Sequence, residues 1–271
     1  MTFNPIDQSC AVLNASAPEE KAALALSMRS QWERAEKRPY QSELMPGDRP
    51  GRPVKPELVL PGEVPRRRLG SPQGRAALLH AISHIELNAI DLAADMIARF
   101  ARHPLIAPEL QTDFIEDWSR VCAEEAKHFN LLSDRLKTLG VEYGDFPAHN
   151  GLWDAAYKTR HQIAARLAIA PMVLEARGLD VTPGMIKKLE RVQDKESVAV
   201  LKVIYEDEIG HVKIGAKWFQ RIAELEGEKP RPYFHKLVRE HFAGQLKPPF
   251  NVQARTLAGL TEDYYAPLAI C

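Results

Sequence analysis

A Glu-x-x-His step occurs twice, at Glu125/His128 and at Glu208/His211, and it constrains the fold of this chain more than any other feature. In an α-helix, residues three positions apart lie on the same face, about one turn from each other along the axis. Each step lies in a run of apolar residues with helical spacing, so its ionisable groups belong to the face that a helix buries. The sequence therefore predicts helices that carry charged side chains into a core.

Two further apolar stripes contain one glutamate each, Glu86 and Glu175. A buried carboxylate without a partner is costly or changes its ionisation, and four of them in one core would repel each other. Two divalent or trivalent cations would remove that conflict. Four carboxylates and two imidazoles from four helices are the ligand set of a dinuclear, carboxylate-bridged site in a four-helix bundle. The predicted metal ligands are Glu86, Glu125, His128, Glu175, Glu208 and His211.

The identity of the metal follows from the chemistry of this donor set. Structural zinc prefers Cys and His ligands, whereas carboxylate-rich sets with some imidazole suit iron or manganese. We therefore predict two iron ions, with manganese as the alternative. For any single glutamate, the competing interpretation is an ordinary charge at the edge of the core that pairs with Arg or Lys or turns to solvent.

Length, charge and cysteine content limit the class of protein. The chain has 271 residues, of which 45% are hydrophobic, enough for a sizeable core in one domain or two. Equal numbers of basic and acidic residues, 36 of each, argue against a general nucleic-acid-binding surface, and the basic triplet at 66–68 is interpreted as a solvated turn. Three widely spaced cysteines imply no disulfide framework. With neither a signal-like segment nor a membrane-length apolar run, we expect a cytoplasmic protein.

The chain is predicted to be all-α and to have three parts. Residues 1–70 would form a helix (about 17–36) and a proline-rich arm packed on the bundle, with a disordered tail as the alternative to the arm. Residues 71–228 would form a four-helix bundle with the di-metal site. Residues 229–271 would form a C-terminal helical extension.

Within the bundle, apolar spacing and capping signals predict four helices, over about 71–103, 108–140, 152–177 and 194–226. Gly178 is a plausible C-terminal cap of the third helix, and a short separate helix would follow Thr182-Pro183. The long connection over 141–151 joins two helical hairpins. One long crossover of this kind is the ferritin-like arrangement, as opposed to a simple up-down-up-down bundle.

Five sequence strings together resemble the bacterial ferritin-like family catalogued as domain of unknown function 455. They are HIELNAIDLAAD (84–95), EEAKHF (124–129), LEARGLDVTPGM (174–185), DEIGHVKIGAKWF (207–219) and PPFNVQARTLAGL (248–260). More distantly, the ligand pattern is similar to rubrerythrin, ribonucleotide reductase small subunits, demethoxyubiquinone hydroxylase and the di-iron tRNA hydroxylase. The resemblance implies that Glu86, Glu125 and His128 hold one metal and that the other three ligands hold the second, with Glu125 and Glu208 also bridging.

Acidic residues precede both Glu-x-x-His steps, at Glu124 and Asp207. A metal-bound histidine usually donates its other ring proton to a carboxylate or a carbonyl. We therefore expect Asp207 to accept a hydrogen bond from His128, and Glu124 to accept one from His211. The alternative is that both acids face solvent.

Candidate pocket-lining residues are Cys122, Tyr205 and Met172, although a cysteine at such a position is more often a small core residue. The small residues Gly210 and Gly215 would either leave room for a substrate or allow close helix contact. No catalytic residue is predicted beyond the metal site.

Two pairs of polar residues on the first bundle helix are not expected to be ligands. His80 and His84 do not share the angular position of Glu86, so we place them at the surface or next to the ligands. Asp91 and Asp95 are expected to form helix salt bridges.

The leading functional hypothesis is an oxygen-dependent, di-metal oxidoreductase of the hydroxylase or oxidase type that acts on an unidentified small organic molecule. Reduced di-iron sites bind dioxygen, and the surrounding protein selects the reaction. An electron-donor protein is a further expected partner. One alternative is a non-enzymatic, ferritin-like iron-binding protein or ferroxidase, which the long terminal extensions disfavour. Another is a tRNA-modifying di-iron hydroxylase, which would need a local basic face.

Overall fold

A computed structural model describes residues 3–63 and 69–269 of the chain. Over these residues the regular structure is helical, and the only β-type pairings are two isolated bridges. This confirms the predicted all-α class. The chain divides into two compact units, Met1–Trp153 and Asp154–Cys271. The basic triplet at 66–68 and Cys271 lie outside the described residues.

Four helices lie wholly within the described residues of the first unit, and each of them begins with a proline. They are α1 (Pro5–Asn14), α2 (Pro18–Arg34), α3 (Pro72–Phe100) and α4 (Pro108–Thr138). Proline suits the first helical position because its missing N–H would have no partner within the helix there. Helices α3 and α4 pack against each other, α2 packs on α4, and α1 packs against α2 and α3. The long helices α3 and α4 therefore form the predicted first hairpin.

The proline-rich arm is extended and is hydrogen-bonded to other parts of the first unit. The backbone N–H of Val59 donates to the Ala148 carbonyl (2.8 Å), and the N–H of Ala148 donates to the Glu57 carbonyl (3.0 Å). Further back, the Gly51 N–H donates to the Leu13 carbonyl (2.7 Å). These backbone hydrogen bonds attach the arm both to the connection after α4 and to the end of α1.

A buried charge cluster joins α2, the arm and α3. The Lys21 ammonium donates to the Asp91 carboxylate (2.5 Å) and to the Val12 carbonyl (3.0 Å), and both side chains are fully buried. Arg52 pairs with the other Asp91 oxygen and donates to Asn88 (2.6 Å). The predicted helix salt bridge is therefore wrong for Asp91, whose partners come from other elements.

Three other polar residues on α3 also test the sequence expectations. Asp95 does pair one turn along its own helix, with Arg99 (2.9 Å). His80 and His84 are buried, which excludes the surface position and leaves the alternative, a position next to the predicted ligands, as a prediction. His80 Nε2 accepts from the Gly144 N–H (2.8 Å), which anchors the connection after α4 to α3.

The second unit is built around α8 (Lys195–Leu225), which packs against α6 (Ile163–Ile169), a π-helical segment (Ala170–Glu175) and α7 (Ala176–Arg191). The short helix α5 (Gly151–Lys158) precedes α6. The C-terminal helices are α9 (Pro230–His241), α10 (Val252–Leu257) and α11 (Glu262–Tyr265), followed by a 3₁₀ turn over Ala266–Leu268. The predicted fourth helix thus agrees with α8 to within about one residue at each end.

The third predicted helix needs the largest correction. Instead of one helix over 152–177, the chain forms α5, a break at 159–162, α6, the π-helical segment and α7. Gly178 is not a C-terminal cap: its φ is not positive, and α7 continues through it and through Pro183 to Arg191. A proline inside a helix leaves the carbonyl four residues earlier without its usual donor. Here the amide of Asn251 donates to that carbonyl, on Leu179 (3.1 Å), so the helix can continue.

Candidate metal centre

Three of the predicted ligands come together in the core of the first unit. Glu86 on α3 and Glu125 and His128 on α4 are buried, and each offers a ligand atom within 4.8 Å of the others. His128 Nδ1 lies 3.1 Å from Glu86 Oε2 and 3.5 Å from Glu125 Oε2. The i, i+3 spacing on α4 and the packing of α3 against α4 thus bring two carboxylates and one imidazole to one point. This cluster can hold a metal ion.

The electrostatics of this cluster favour a cation. Burial raises the pKa of Glu86 to about 8, the negative charge of Glu125 adds to the effect, and the hydrogen bond with His128 opposes it. A carboxyl group that is held so far above its usual pKa of 4.5 retains its proton at neutral pH. A divalent cation would stabilise both carboxylates in their charged form. The donor set of two carboxylates and one imidazole suits iron or manganese better than structural zinc.

His128 presents Nδ1, and not Nε2, to the two carboxylates. A metal in the cluster would therefore bind at Nδ1, which leaves Nε2 to donate to an orienting acceptor. The sequence assigned that acceptor to Asp207, a half-buried residue of the second unit. This assignment stays a prediction.

The other three predicted ligands belong to the second unit. His211 is fully buried on α8, and its Nδ1 lies 3.8 Å from Glu208 Oε2 in the same i, i+3 relation as on α4. Glu175 is half-buried and ends the π-helical segment that packs against α8. The repeated step therefore places a second carboxylate–imidazole pair on a largely buried helix face.

Close packing of α8 on the π-helical segment depends on Gly215. A Cβ atom at Gly215 would lie 2.5 Å from Pro171 Cγ, which is well inside the contact distance of two carbons. Gly215 therefore serves close helix contact, as one of the two sequence interpretations expected. Gly210 differs, because no atom lies within 4 Å of a Cβ placed there.

The remaining candidates lie as follows. The Cys122 thiol is fully buried and donates to the Ile90 carbonyl (3.6 Å), and burial raises its pKa above the ordinary value. Met172 is buried in the π-helical segment, and Tyr205 is half-buried on α8. Glu124 is half-buried beside a surface groove between α2 and α4. The pocket-lining and orienting roles of these residues stay predictions.

Two open grooves lie elsewhere on the surface, one in each unit. The groove that includes Glu124 has a volume of about 550 Å³, and the other, beside Lys229 and Tyr264, has about 580 Å³. Neither is lined by any of the six predicted ligands. No helix in the described part of the chain combines the length and the apolar character needed to cross a membrane.

Sequence reasoning missed a hydrogen-bonded His–Tyr pair near Glu86. His84 Nε2 lies 3.1 Å from the His149 carbonyl, which can only accept, so Nε2 carries the proton. His84 Nδ1 therefore accepts from the Tyr143 hydroxyl (2.8 Å), and burial lowers the pKa of His84 to about 4. The ring of Tyr143 stacks on both His80 (5.3 Å) and His84 (6.2 Å). The only sequence signal was the one-turn spacing of the two histidines.

The fold and the site together define the class of protein: it is all-helical and has a buried carboxylate–histidine cluster that can hold a metal ion. The family described as "Protein of unknown function (DUF455)" matches residues 14–266, so the chain belongs to this family. A protein of Haemophilus influenzae with the description "Uncharacterized protein" is 44% identical over 210 residues, which cover 78% of this chain and 73% of that relative. No solved structure matches the chain.

Proposed function

We propose that the protein is an oxygen-dependent di-metal oxidoreductase of the hydroxylase or oxidase type, which uses iron and acts on a small organic molecule. The observation that carries the proposal is the buried donor set of Glu86, Glu125 and His128 in the first unit. The second Glu-x-x-His step and Glu175 support a second metal ion. The ferritin-like arrangement expected from the sequence is part of the same proposal.

The ligand residues of each unit would hold one ion. When bound, a pair of reduced iron ions supplies the electrons for the reduction of dioxygen. The chain itself supplies the low-dielectric surroundings, because Glu125, His128 and His211 are fully buried. Burial keeps water away from the ligands and strengthens the electrostatic interactions among them.

Metal binding in the first unit would also move a proton. With a pKa of about 8, the Glu86 carboxyl group holds a proton at neutral pH in the metal-free protein, and a bound cation would displace it. The hydrogen bond between His128 Nδ1 and Glu86 Oε2 would be lost at the same time, since that nitrogen would become a ligand. The cluster would therefore exchange a proton for a metal ion.

The primary test is the metal content of protein loaded anaerobically with Fe(II). We expect two ions per chain for the wild type and a clear loss in Glu208→Ala. Glu206→Ala is the matched control, because this glutamate is exposed on the same helix. A single tightly held zinc ion, or no metal at any loading, would overturn the proposal.

Oxygen consumption then tests the reaction class. The reduced, iron-loaded wild type should consume about one O2 per pair of iron ions, since two iron ions supply the two electrons that reduce O2 to peroxide. Glu175→Ala should react far more slowly, because it retains only one complete triad. An oxidoreductase should stop at two iron ions per chain, whereas continued uptake of Fe(II) on repeated addition would identify the iron-storage alternative.

A further inference from the structure

The side chain of Asn251 joins three helices of the second unit. Its Oδ1 accepts from the Ala254 N–H (3.2 Å), which caps α10. Its Nδ2 donates to the Leu179 carbonyl on α7 (3.1 Å) and to the Tyr205 hydroxyl on α8 (2.8 Å). The orientation of the amide follows from these partners, because the Leu179 carbonyl can only accept. Both amide protons are therefore used to connect α7 with α8.

The bond to Leu179 replaces one that α7 cannot make. Leu179 lies four residues before Pro183, which has no N–H to donate to it. A buried carbonyl without a donor is costly, so a donor from outside the helix is needed at this position. Asn251 supplies that donor, and this fixes its amide group against α7.

The two residues that Asn251 contacts lie one turn from two predicted metal ligands. Leu179 is four residues after Glu175, and Tyr205 is three residues before Glu208. Residues at these spacings share a helix face. The distance between α7 and α8 at the level of Asn251 therefore sets the position of both carboxylates, because each helix transmits a shift over one turn with little change.

The segment that carries Asn251 is itself held firmly. The backbone N–H of Asn251 donates to Asp180 (2.9 Å), and Arg255 binds the same carboxylate with two hydrogen bonds (2.8 and 2.7 Å). The guanidinium of Arg255 also lies over the rings of Phe250 (5.0 Å) and Tyr265 (4.6 Å). These contacts hold Asn251 in place, so its hydrogen bonds to α7 and α8 can set the position of the two helices relative to each other.

We propose that Asn251 and Tyr205 are positioning residues for the metal ion of the second unit: the Asn251–Tyr205 hydrogen bond sets the spacing between Glu175 and Glu208. This inference rests on the proposed function, since it presupposes that Glu175, Glu208 and His211 hold an ion. It assigns a role to the C-terminal segment, which contains none of the predicted ligands. Neither residue touches the metal, and both act through the helices that carry the ligands.

The test compares Tyr205→Phe with Tyr233→Phe. Both variants lose one phenol hydroxyl that accepts from a side-chain amide, but the Tyr233 hydroxyl is bonded to Gln162 and Glu226, neither of which lies within a helical turn of a predicted ligand. Affinity for Mn(II) would be measured by competition with a chelator under anaerobic conditions. We expect one of the two ions, the one held by the second unit, to lose about 10-fold in affinity in Tyr205→Phe, the low end of the range for groups that orient ligands. Tyr233→Phe should bind both ions as the wild type does.

Two further variants separate alignment from general loosening. Asn251→Ser keeps a capping oxygen for α10 but loses the hydrogen bonds to both Tyr205 and Leu179, so it should weaken binding at least as much as Tyr205→Phe does, and the double variant should be no worse than Asn251→Ser. In a Glu175→Ala background, Tyr205→Phe should leave the affinity of the remaining ion unchanged.

Three outcomes would overturn the inference. The first is that Tyr205→Phe and Asn251→Ser both bind two Mn(II) ions with wild-type affinity. The second is that Tyr233→Phe weakens binding as much as Tyr205→Phe does. The third is that the effect of Tyr205→Phe persists in the Glu175→Ala background. If the wild type itself binds fewer than two ions, the proposed function fails and this inference fails with it. Wild-type binding of two ions together with unaffected variants would remove only the positioning role.

Discussion

Gly215→Ala tests whether close contact between α8 and the π-helical segment stabilises the second unit. The added methyl group would lie 2.5 Å from Cγ of Pro171, whereas carbon atoms in contact are about 3.5–4.0 Å apart. The obstructing atoms belong to a proline ring, which is tied to the backbone and cannot rotate away. Relief therefore requires the helix and the segment to move apart by about 1 Å.

The expected magnitude comes from two opposed effects. Overpacking of a core typically costs about 1–3 kcal/mol, and replacement of glycine by alanine inside a helix gains up to about 1 kcal/mol. Because the contact is with rigid atoms, the steric cost should exceed the gain. We expect Gly215→Ala to lower the free energy of unfolding by about 1–2 kcal/mol.

Gly210→Ala provides the matched control on the same helix. A Cβ there meets no atom within 4 Å, so only the gain in helix propensity remains, about 0.5–1 kcal/mol. Urea unfolding of both metal-free variants, followed by circular dichroism, would give the two free energies. The reasoning would be refuted if Gly215→Ala were as stable as Gly210→Ala, since the contact with Pro171 would then carry no cost.

Three further predictions concern buried charge and metal. Lys21→Met should lower the free energy of unfolding by about 3 kcal/mol, because it leaves Asp91 buried with one fewer cation. The control Lys202→Met removes an exposed ion pair with Glu190 and should change the free energy of unfolding by less than about 1 kcal/mol. Equal effects of the two substitutions in urea unfolding would contradict this prediction. The Glu86 carboxyl group, with its pKa raised from 4.5 to about 8, binds more protons in the folded than in the unfolded state, so its contribution to metal-free stability should decrease as pH rises from about 4.5 to 8. The pH dependence of the free energy of unfolding should therefore be weaker in metal-free Glu86→Gln than in the wild type. An equal pH dependence in the two proteins would show that Glu86 is not its cause. Saturating Fe(II) or Mn(II), at about 100 times the dissociation constant, should stabilise the wild type by about 2.7 kcal/mol for each ion bound, as measured by thermal unfolding, and Glu125→Ala should lose the contribution of the ion of the first unit; a wild-type melting temperature that does not respond to metal would argue against the site.

The elements that the sequence predicted well are those whose ends are determined locally. Helices α3, α4 and α8 begin at prolines or at a capping side chain, such as Ser71, which accepts from the Gly74 N–H, and Asp194, which accepts from the Ser197 N–H. Their apolar faces also have the regular spacing of an α-helix. The proximity of Glu125 and His128 in the first unit was also predictable from local sequence, since their i, i+3 spacing depends only on α4 being a helix.

The features that the sequence did not predict depend on partners far away in the chain. Gly178 and Pro183 were interpreted as the end of one helix and the start of another, but α7 continues because Asn251 donates to Leu179. Local rules cannot anticipate a donor that lies 72 residues away. The partners of His84, Tyr143 and His149, likewise lie in a connection whose path no periodicity reveals, so the sequence leaves open whether His84 lies at the surface or next to the ligands. The helix α1 was not predicted at all.

The π-helical segment before α7 has a consequence for how ligand sets should be compared within the family. A π-helical turn holds one residue more than an α-helical turn, and each residue of an α-helix advances by about 100° around the axis. Loss of one residue between Pro171 and Glu175 would therefore rotate Glu175 by about 100° relative to the preceding helix. A family member with such a deletion would retain all six predicted ligands in its sequence, but its Glu175 would face a different direction, so the length of this segment is as informative as the glutamate that ends it.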